Sequence, residues 1–227
     1  MGNDLRQIKY HIQIVWGFSF FLPPCLIAIS VALFIVLTGP DGNVDRLMEA
    51  SEVFLPLLSF VFSSPIIGKE KDRNAFELVA SRPPSVFYLF LLRWAIVQFF
   101  FWFSVAAVLG IACSFIELDV LQTLLIAFAP ATFLSSLGCA SANLTTDTNV
   151  GYLVPAIYWV ASFWYGDLAT HEWGQYVYLF SWAHRAQTET GIWQQNKLLL
   201  LLASICLLVS QHWVLKGYER FVKGSSS

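Results

Sequence analysis

Long runs of apolar residues separated by short polar stretches dominate the sequence. An α-helix rises about 1.5 Å per residue, so roughly 20 apolar residues cross the ~30 Å hydrocarbon core of a bilayer. Most of the runs approach or exceed that length, and most carry no charged residue. We therefore predict an all-α, polytopic membrane protein with six transmembrane helices, at residues 12–37, 50–68, 94–116, 120–142, 150–165 and 198–215.

Charged and polar residues set the limits of the predicted domain and of the third span. We expect residues 1–223 to form a single transmembrane domain, and we read 224–227, Gly-Ser-Ser-Ser, as a tail or a cloning remnant. The third span is taken to begin after Arg93, whose side chain is expected to extend to the cytosolic headgroups. The alternative for Arg93 is a functional cation within the membrane.

Composition supports insertion into a membrane. Hydrophobic residues make up 57% of the chain and charged residues 12%, whereas about a quarter of a soluble domain is charged. The net charge of −2 gives no basic field for a nucleic-acid partner. The four cysteines lack metal-ligand spacing, so we interpret them as small apolar residues and expect no metal in this chain.

Lysine and arginine are distributed unequally between the two predicted sides. Cytosolic loops carry the excess of these residues, so the richer side is predicted to be cytosolic. This places both termini in the cytosol of a multi-pass protein of the cytoplasmic (plasma) membrane. Ten of the 13 basic residues belong to that side: Arg6, Lys9, Lys69, Lys71, Arg73, Arg82, Arg93, Lys216, Arg220 and Lys223.

The most charged stretch lies between the second and third predicted spans, at residues 69–85. Its spacing of apolar residues predicts a short amphipathic helix at 74–81. Asn74 is an acceptable N-cap and Glu77 completes a capping box. A solvated loop that merely satisfies the charge rule is the alternative interpretation.

The order of residues in this stretch favours a function. Glu70, then Asn74-Ala75-Phe76-Glu77-Leu78, then Ser81-Arg82-Pro83 resembles the loop after the second span of ABC-2-type transporter permeases. That family usually has Gly where Asn74 stands and a hydroxyl residue where Ala75 stands. The resemblance implies a cytosolic coupling helix that docks into a nucleotide-binding ABC ATPase. The docking residues would be Glu70, Asp72, Arg73, Phe76 and Glu77.

Two further segments carry predictions: an aromatic segment that matches the layout of that family, and a segment of small residues that predicts helix packing. The aromatic residues of 176–193 favour a re-entrant hairpin on the external side, between helices 5 and 6. Small and hydroxyl residues at 135–142 predict a face buried against another helix or at a subunit interface. Prolines within the spans predict bent helices.

The resemblance implies a permease subunit of an ATP-driven exporter. The sequence contains no GxxxxGK[ST] motif, so ATP and Mg would be bound by the partner ATPase, and this chain would hold no cofactor. A second permease chain, identical or related, would complete the transporter within the membrane lipid. We expect an amphipathic or hydrophobic substrate, such as an exported peptide.

Two alternatives to the exporter remain. One is a non-catalytic membrane immunity or assembly protein, and the other is an intramembrane enzyme. The enzyme would need its ionisable residues grouped in the spans, and the candidates there are Glu52, Arg93 and His212. These three are dispersed near the ends of the spans, so no catalytic residue is assigned to this chain.

Overall fold

A computed structural model describes residues 44–64, 66, 85–114, 119–164, 174–180 and 190–225. All regular secondary structure in this part of the chain is helical. Its helices are α1 (Val44–Ser63), α2 (Val86–Ala112), α3 (Val120–Thr145), α4 (Thr148–Trp164), α5 (Gly174–Val177) and α6 (Thr190–Ser225).

Three of the described helices are long and apolar enough to cross a membrane. They are Val86–Ala112, Val120–Thr145 and, within α6, Ile192–Gly217. Large apolar side chains are exposed along them, as lipid contact requires. The prediction of an all-helical fold is confirmed for the described residues, and these three helices indicate a membrane protein. The predicted span at 12–37 and the predicted coupling helix at 74–81 lie outside the described residues.

The other predicted spans also contain helices, with shifted limits. The sequence placed the start of the third span at Trp94, but α2 begins at Val86, where the Ser85 hydroxyl accepts from the Tyr88 amide at 3.3 Å. Arg93 lies inside this helix and is only 2% exposed, so the predicted extension of its side chain to headgroups is wrong. The sixth span was predicted to begin at Leu198, yet α6 begins at Thr190 and reaches into the predicted tail.

Contacts at two levels show that α1 and α4 are antiparallel. The indole N–H of Trp159 on α4 donates to the carbonyl of Val53 on α1 at 2.8 Å. The hydroxyl of Ser64, which follows α1, donates to the carbonyl of Gly151 on α4 at 2.8 Å. Residue numbers therefore rise along one helix as they fall along the other.

Helices α2 and α3 are also antiparallel. The Trp94 indole N–H donates to the Ser135 hydroxyl at 3.0 Å, and the Trp102 ring lies 5.2 Å from the Phe128 ring between centroids. The two-residue link Thr146–Asp147 turns the chain from α3 back into α4. Helix α3 is consequently parallel to α1.

Helix α6 runs parallel to α1 and α3. It contacts α1 through Lys197 and Glu52, and it contacts the end of α3 through Gln211 and Asn143. Helices α1, α3 and α6 thus run in one direction, and α2 and α4 in the other. The end of α1, the start of α2 and the α3–α4 link share one end of the bundle, termed the 64–85 end. The opposite end, which holds the short helix α5, is termed the 174–180 end.

Two glycines let α3 and α4 pack closely against each other. A Cβ added at Gly138 would lie 2.9 Å from the Gly151 carbonyl and 2.5 Å from the Ser64 hydroxyl. A Cβ added at Gly151 would lie 2.6 Å from the Ala142 Cβ. Only glycine lets the backbones approach this closely. The prediction that the small residues of 135–142 pack against another helix is confirmed, with Gly138 and Ala142 against α4 and Ser135 against α2.

Candidate functional site

The predicted coupling residues lie outside the part of the chain that the structure describes. These are Glu70, Asp72, Arg73, Phe76 and Glu77. The described residues on either side of them are Ile66, which is buried, and Ser85, which caps α2. The candidate coupling segment therefore connects α1 and α2 at the 64–85 end of the bundle.

A buried polar cluster connects α1, α2 and α3 near that end. The Gln98 amide on α2 donates to the hydroxyls of Ser63 at 3.0 Å, Ser135 at 2.6 Å and Ser59 at 3.4 Å. Trp94 shares Ser135 as its acceptor. These five residues are termed the Gln98 cluster.

The sequence builds this cluster by helical spacing. Ser59 and Ser63 are four residues apart and share one face of α1, and Trp94 and Gln98 share one face of α2 by the same spacing. The Ser63 hydroxyl also donates to the Ser59 carbonyl at 2.7 Å, which satisfies its own proton within the helix. Buried hydrogen bonds between helices fix their relative rotation, so the cluster ties the helices that flank the coupling segment to α3.

A second buried contact between amides joins α3 to α6. The Asn143 amide donates to the Gln211 side-chain oxygen at 2.9 Å, and both residues are buried. In turn the Gln211 amide donates to the Leu207 carbonyl at 3.3 Å. Helix α3 thus has a polar contact to each of α2 and α6.

A buried ion pair lies toward the 174–180 end. The Lys197 ammonium on α6 donates to the Glu52 carboxylate on α1, and Glu52 is fully buried. Outside the transmembrane helices, burial and then the Glu52 charge raise the pKa of Tyr178 to about 12. The phenol is therefore neutral at physiological pH, beside a carboxylate that a phenolate would repel.

Residues 174–180 pack over this ion pair, and side chains bind their carbonyls. The Asn196 amide donates to the carbonyls of Gln175 at 2.8 Å and Tyr178 at 2.9 Å. Lys197 donates to the Leu179 carbonyl at 3.4 Å as well as to Glu52. A chain without regular hydrogen bonding is tolerated at such a position because protein donors replace water.

Helix α4 supplies the third support for the same residues. Its Tyr158 hydroxyl donates to the Val177 carbonyl at 2.7 Å. The ring of Phe180 meets those of Trp159 and Phe163 at centroid distances of 6.1 and 6.4 Å. Residues 174–180 are consequently bound to α4 and α6, and through the ion pair to α1.

The ionisable residues that an intramembrane enzyme would use are not brought together in the described residues. Among them, no three His, Cys, Asp or Glu side chains lie close enough to hold a metal ion. An intramembrane enzyme would have been favoured by Glu52 and His212 in one pocket. Instead Glu52 pairs with Lys197, while His212 packs edge-on against Phe87 at 5.0 Å.

Sequence reasoning missed Lys197 and Asn196, which it assigned to an external loop. One signal was available. Glu52 and Lys197 are opposite charges at the external ends of two predicted spans, and a buried charge in a membrane protein requires a partner. The donors to the 174–180 carbonyls carry no comparable signal, because an Asn next to a span is common in loops.

Comparisons with known proteins identify no relative. No protein-family model matches the sequence, and neither a curated protein nor a solved structure is significantly similar to it.

Proposed function

We propose that the chain is the transmembrane permease subunit of an ATP-driven exporter of the ABC-2 type. The observation that carries the proposal is the charged, amphipathic stretch 69–85 and its resemblance to a coupling helix. A separate ABC ATPase subunit binds ATP and Mg, and docks on Glu70, Asp72, Arg73 and Glu77, with Phe76 as the apolar anchor.

The contacts on either side of this stretch indicate which helices would move when an ATPase docks on it. Residues 69–85 connect α1 to α2, and the Gln98 cluster binds these two helices to α3. A displacement of the coupling segment would therefore move α1, α2 and α3 together rather than one helix alone. The Asn143–Gln211 contact extends this group to α6.

The remaining parts of the proposal follow from the family. Six transmembrane helices and a re-entrant hairpin would form half of a transporter in the cytoplasmic membrane, with both termini in the cytosol. Two permease chains, identical or related, would enclose the path of an amphipathic or hydrophobic substrate such as a peptide. Bent helices would line it, and Pro56, Pro130 and Pro155 lie inside α1, α3 and α4.

Purification with the ATPase tests the proposal. We expect a P-loop ATPase to co-purify with the affinity-tagged chain when it is extracted from its native membrane. We also expect the chain to stimulate ATP hydrolysis by that ATPase. Replacing Glu70, Arg73 and Glu77 together with Ala is expected to reduce that stimulation by about tenfold or more, since each lost contact to a charged group is worth about 1.5–3 kcal/mol.

A matched control changes three charges on the other predicted side. Replacing Asp167, Glu172 and Glu189 with Ala should leave the stimulation unchanged. Equal stimulation by the two triple variants would contradict the docking role of the 69–85 stretch. Failure of any P-loop ATPase to associate would favour the non-catalytic immunity or assembly protein.

A further inference from the structure

We infer that residues 174–180 form a detachable lid, and that the Glu52–Lys197 ion pair is the latch that keeps the lid closed over α1, α4 and α6. The inference rests on contacts at the 174–180 end of the bundle and does not require an ATPase.

The lid has little regular hydrogen bonding of its own. Within it, the Tyr178 amide donates to the Gly174 carbonyl at 3.0 Å, which is one helical turn. Its other described hydrogen bonds come from side chains of the bundle, which donate to the carbonyls of Gln175, Val177, Tyr178 and Leu179. Its apolar contacts are made by Tyr178, Leu179 and Phe180, which pack in the core of the bundle. Release of the segment would break these side-chain contacts but no bundle helix, so it can leave as a unit.

Burial shows that the lid covers polar groups of the bundle. Tyr178, Leu179 and Phe180 are all buried, although they lie in irregular chain. Beneath them are the Glu52 carboxylate and the Lys197 ammonium, which are charged groups removed from solvent. Displacing the lid would expose both charges to water, and their hydration would stabilise the open state.

Lys197 is the residue that connects the latch to the lid. Its ammonium donates to the Glu52 carboxylate on α1 and to the Leu179 carbonyl in the lid. Without the carboxylate, the buried ammonium group would lose the charge that it pairs with, and it would be drawn toward solvent past the lid. The closed lid therefore depends on Glu52, which is distant from Leu179 in the sequence.

Amide hydrogen exchange of the purified full chain in detergent tests this inference. In Glu52→Gln, amides of 174–180 are expected to exchange at least about tenfold faster than in the wild type, because breaking a buried pair is strongly destabilising. Amides of α3 should stay within about twofold of their wild-type rates.

Two further variants keep the test decisive if Glu52→Gln does not fold. Tyr158→Phe removes only the hydroxyl that binds the Val177 carbonyl, and should accelerate the lid amides about threefold. Asn143→Leu is the matched control, since it breaks a buried contact near the 64–85 end and should leave the lid within about twofold.

The exchange rates distinguish local opening of the lid from destabilisation of the whole bundle. Acceleration confined to 174–180 in Glu52→Gln supports the latch, and the same result in Tyr158→Phe supports a lid held by side chains of the bundle. Lid amides that exchange at wild-type rates in Glu52→Gln would overturn the latch, and wild-type rates in both variants would overturn the whole inference. It would also fail if Asn143→Leu accelerated the lid as much as Glu52→Gln does.

Discussion

Individual polar side chains in this protein are placed inside the helix bundle rather than toward its surface. Gln98, Asn143, Gln211, Glu52 and Arg93 are all buried within helices that are otherwise mainly apolar. In hydrocarbon an unpaired polar group costs several kcal/mol, so such residues turn toward one another. Each of them thereby selects one rotation of its helix.

The Gln98 cluster predicts a measurable loss of stability on mutation. Gln98→Leu keeps the side-chain size but removes the donor to Ser59, Ser63 and Ser135. Interhelical hydrogen bonds in membranes contribute about 0.6 kcal/mol on average and at most about 1.7. We expect the free energy of unfolding to fall by about 1–2 kcal/mol, measured as a lower Tm of the purified protein in detergent.

The neighbouring residue provides the control. Phe99 is 66% exposed and lies outside the Gln98 cluster, so Phe99→Leu should change stability by less than about 0.5 kcal/mol. The Gln98 side-chain oxygen has no hydrogen-bond partner among the described residues, so its loss adds no cost. Equal Tm values for Gln98→Leu and wild type would show that the cluster does not stabilise the bundle.

At the scale of elements, glycine lets α3 and α4 pack closely against each other. Gly138→Ala would place a methyl group 2.5 Å from the Ser64 hydroxyl and 2.9 Å from the Gly151 carbonyl. The carbonyl is backbone and cannot move without displacing α4. We expect a loss of about 1–3 kcal/mol, as for other overpacked interiors, measured by thermal unfolding in detergent.

A second helical glycine serves as the control for that substitution. Beyond the backbone of its own helix, Gly110 on α2 has no neighbouring atom within 4 Å of the position that a Cβ would take. Gly110→Ala should therefore be neutral or stabilise the protein by up to about 1 kcal/mol through helix propensity. If both alanine variants had the same Tm, close packing of α3 on α4 would be refuted.

The link between α3 and α4 contains a strained residue. Thr146 has φ of 61°, in the left-handed region that β-branched residues rarely adopt. Thr146→Gly removes that strain at some cost in unfolded-chain entropy, so we expect a net gain of about 0.5–1 kcal/mol. Thr145→Gly, inside α3, should instead destabilise the protein. A lower Tm for Thr146→Gly would contradict this assignment.

The limits of the helices show how far the sequence can predict this fold. The uncharged run at 120–142 becomes α3 with the same start, because Asp119 caps it by accepting from the Gln122 amide at 3.0 Å. Arg93 and Lys197 were treated as charges at span ends, and both lie inside helices. Hydropathy cannot distinguish a charge at the surface from one that the protein buries.

The sequence could predict only the part of the candidate site that is formed by residues close together in the chain. The coupling segment was recognised from residues close together in the sequence, and it stays a prediction. The latch joins Glu52 to Lys197, and the Gln98 cluster joins three helices. A single sequence carries the polarity of these residues but not their pairing, which depends on how the helices rotate against one another.

For the whole molecule, the alternating helix directions make a prediction about sidedness. They place the α3–α4 link at the same end as the 64–85 connection, and the residues after α2 at the other. The excess of lysine and arginine at 69–85 predicts that this shared end is cytosolic. The turn after α2 would then face the exterior.

Cysteine labelling in intact cells measures this arrangement. In a variant whose four native cysteines are replaced, Ser114→Cys should react with a membrane-impermeant maleimide, and Asn149→Cys should react only after permeabilisation. Both side chains are exposed, so a difference in reactivity reports sidedness rather than burial. Reaction of Asn149→Cys in intact cells would put the 64–85 end outside. A nucleotide-binding partner could then not reach the coupling segment, and the exporter proposal would fail even though the helical bundle remained correct.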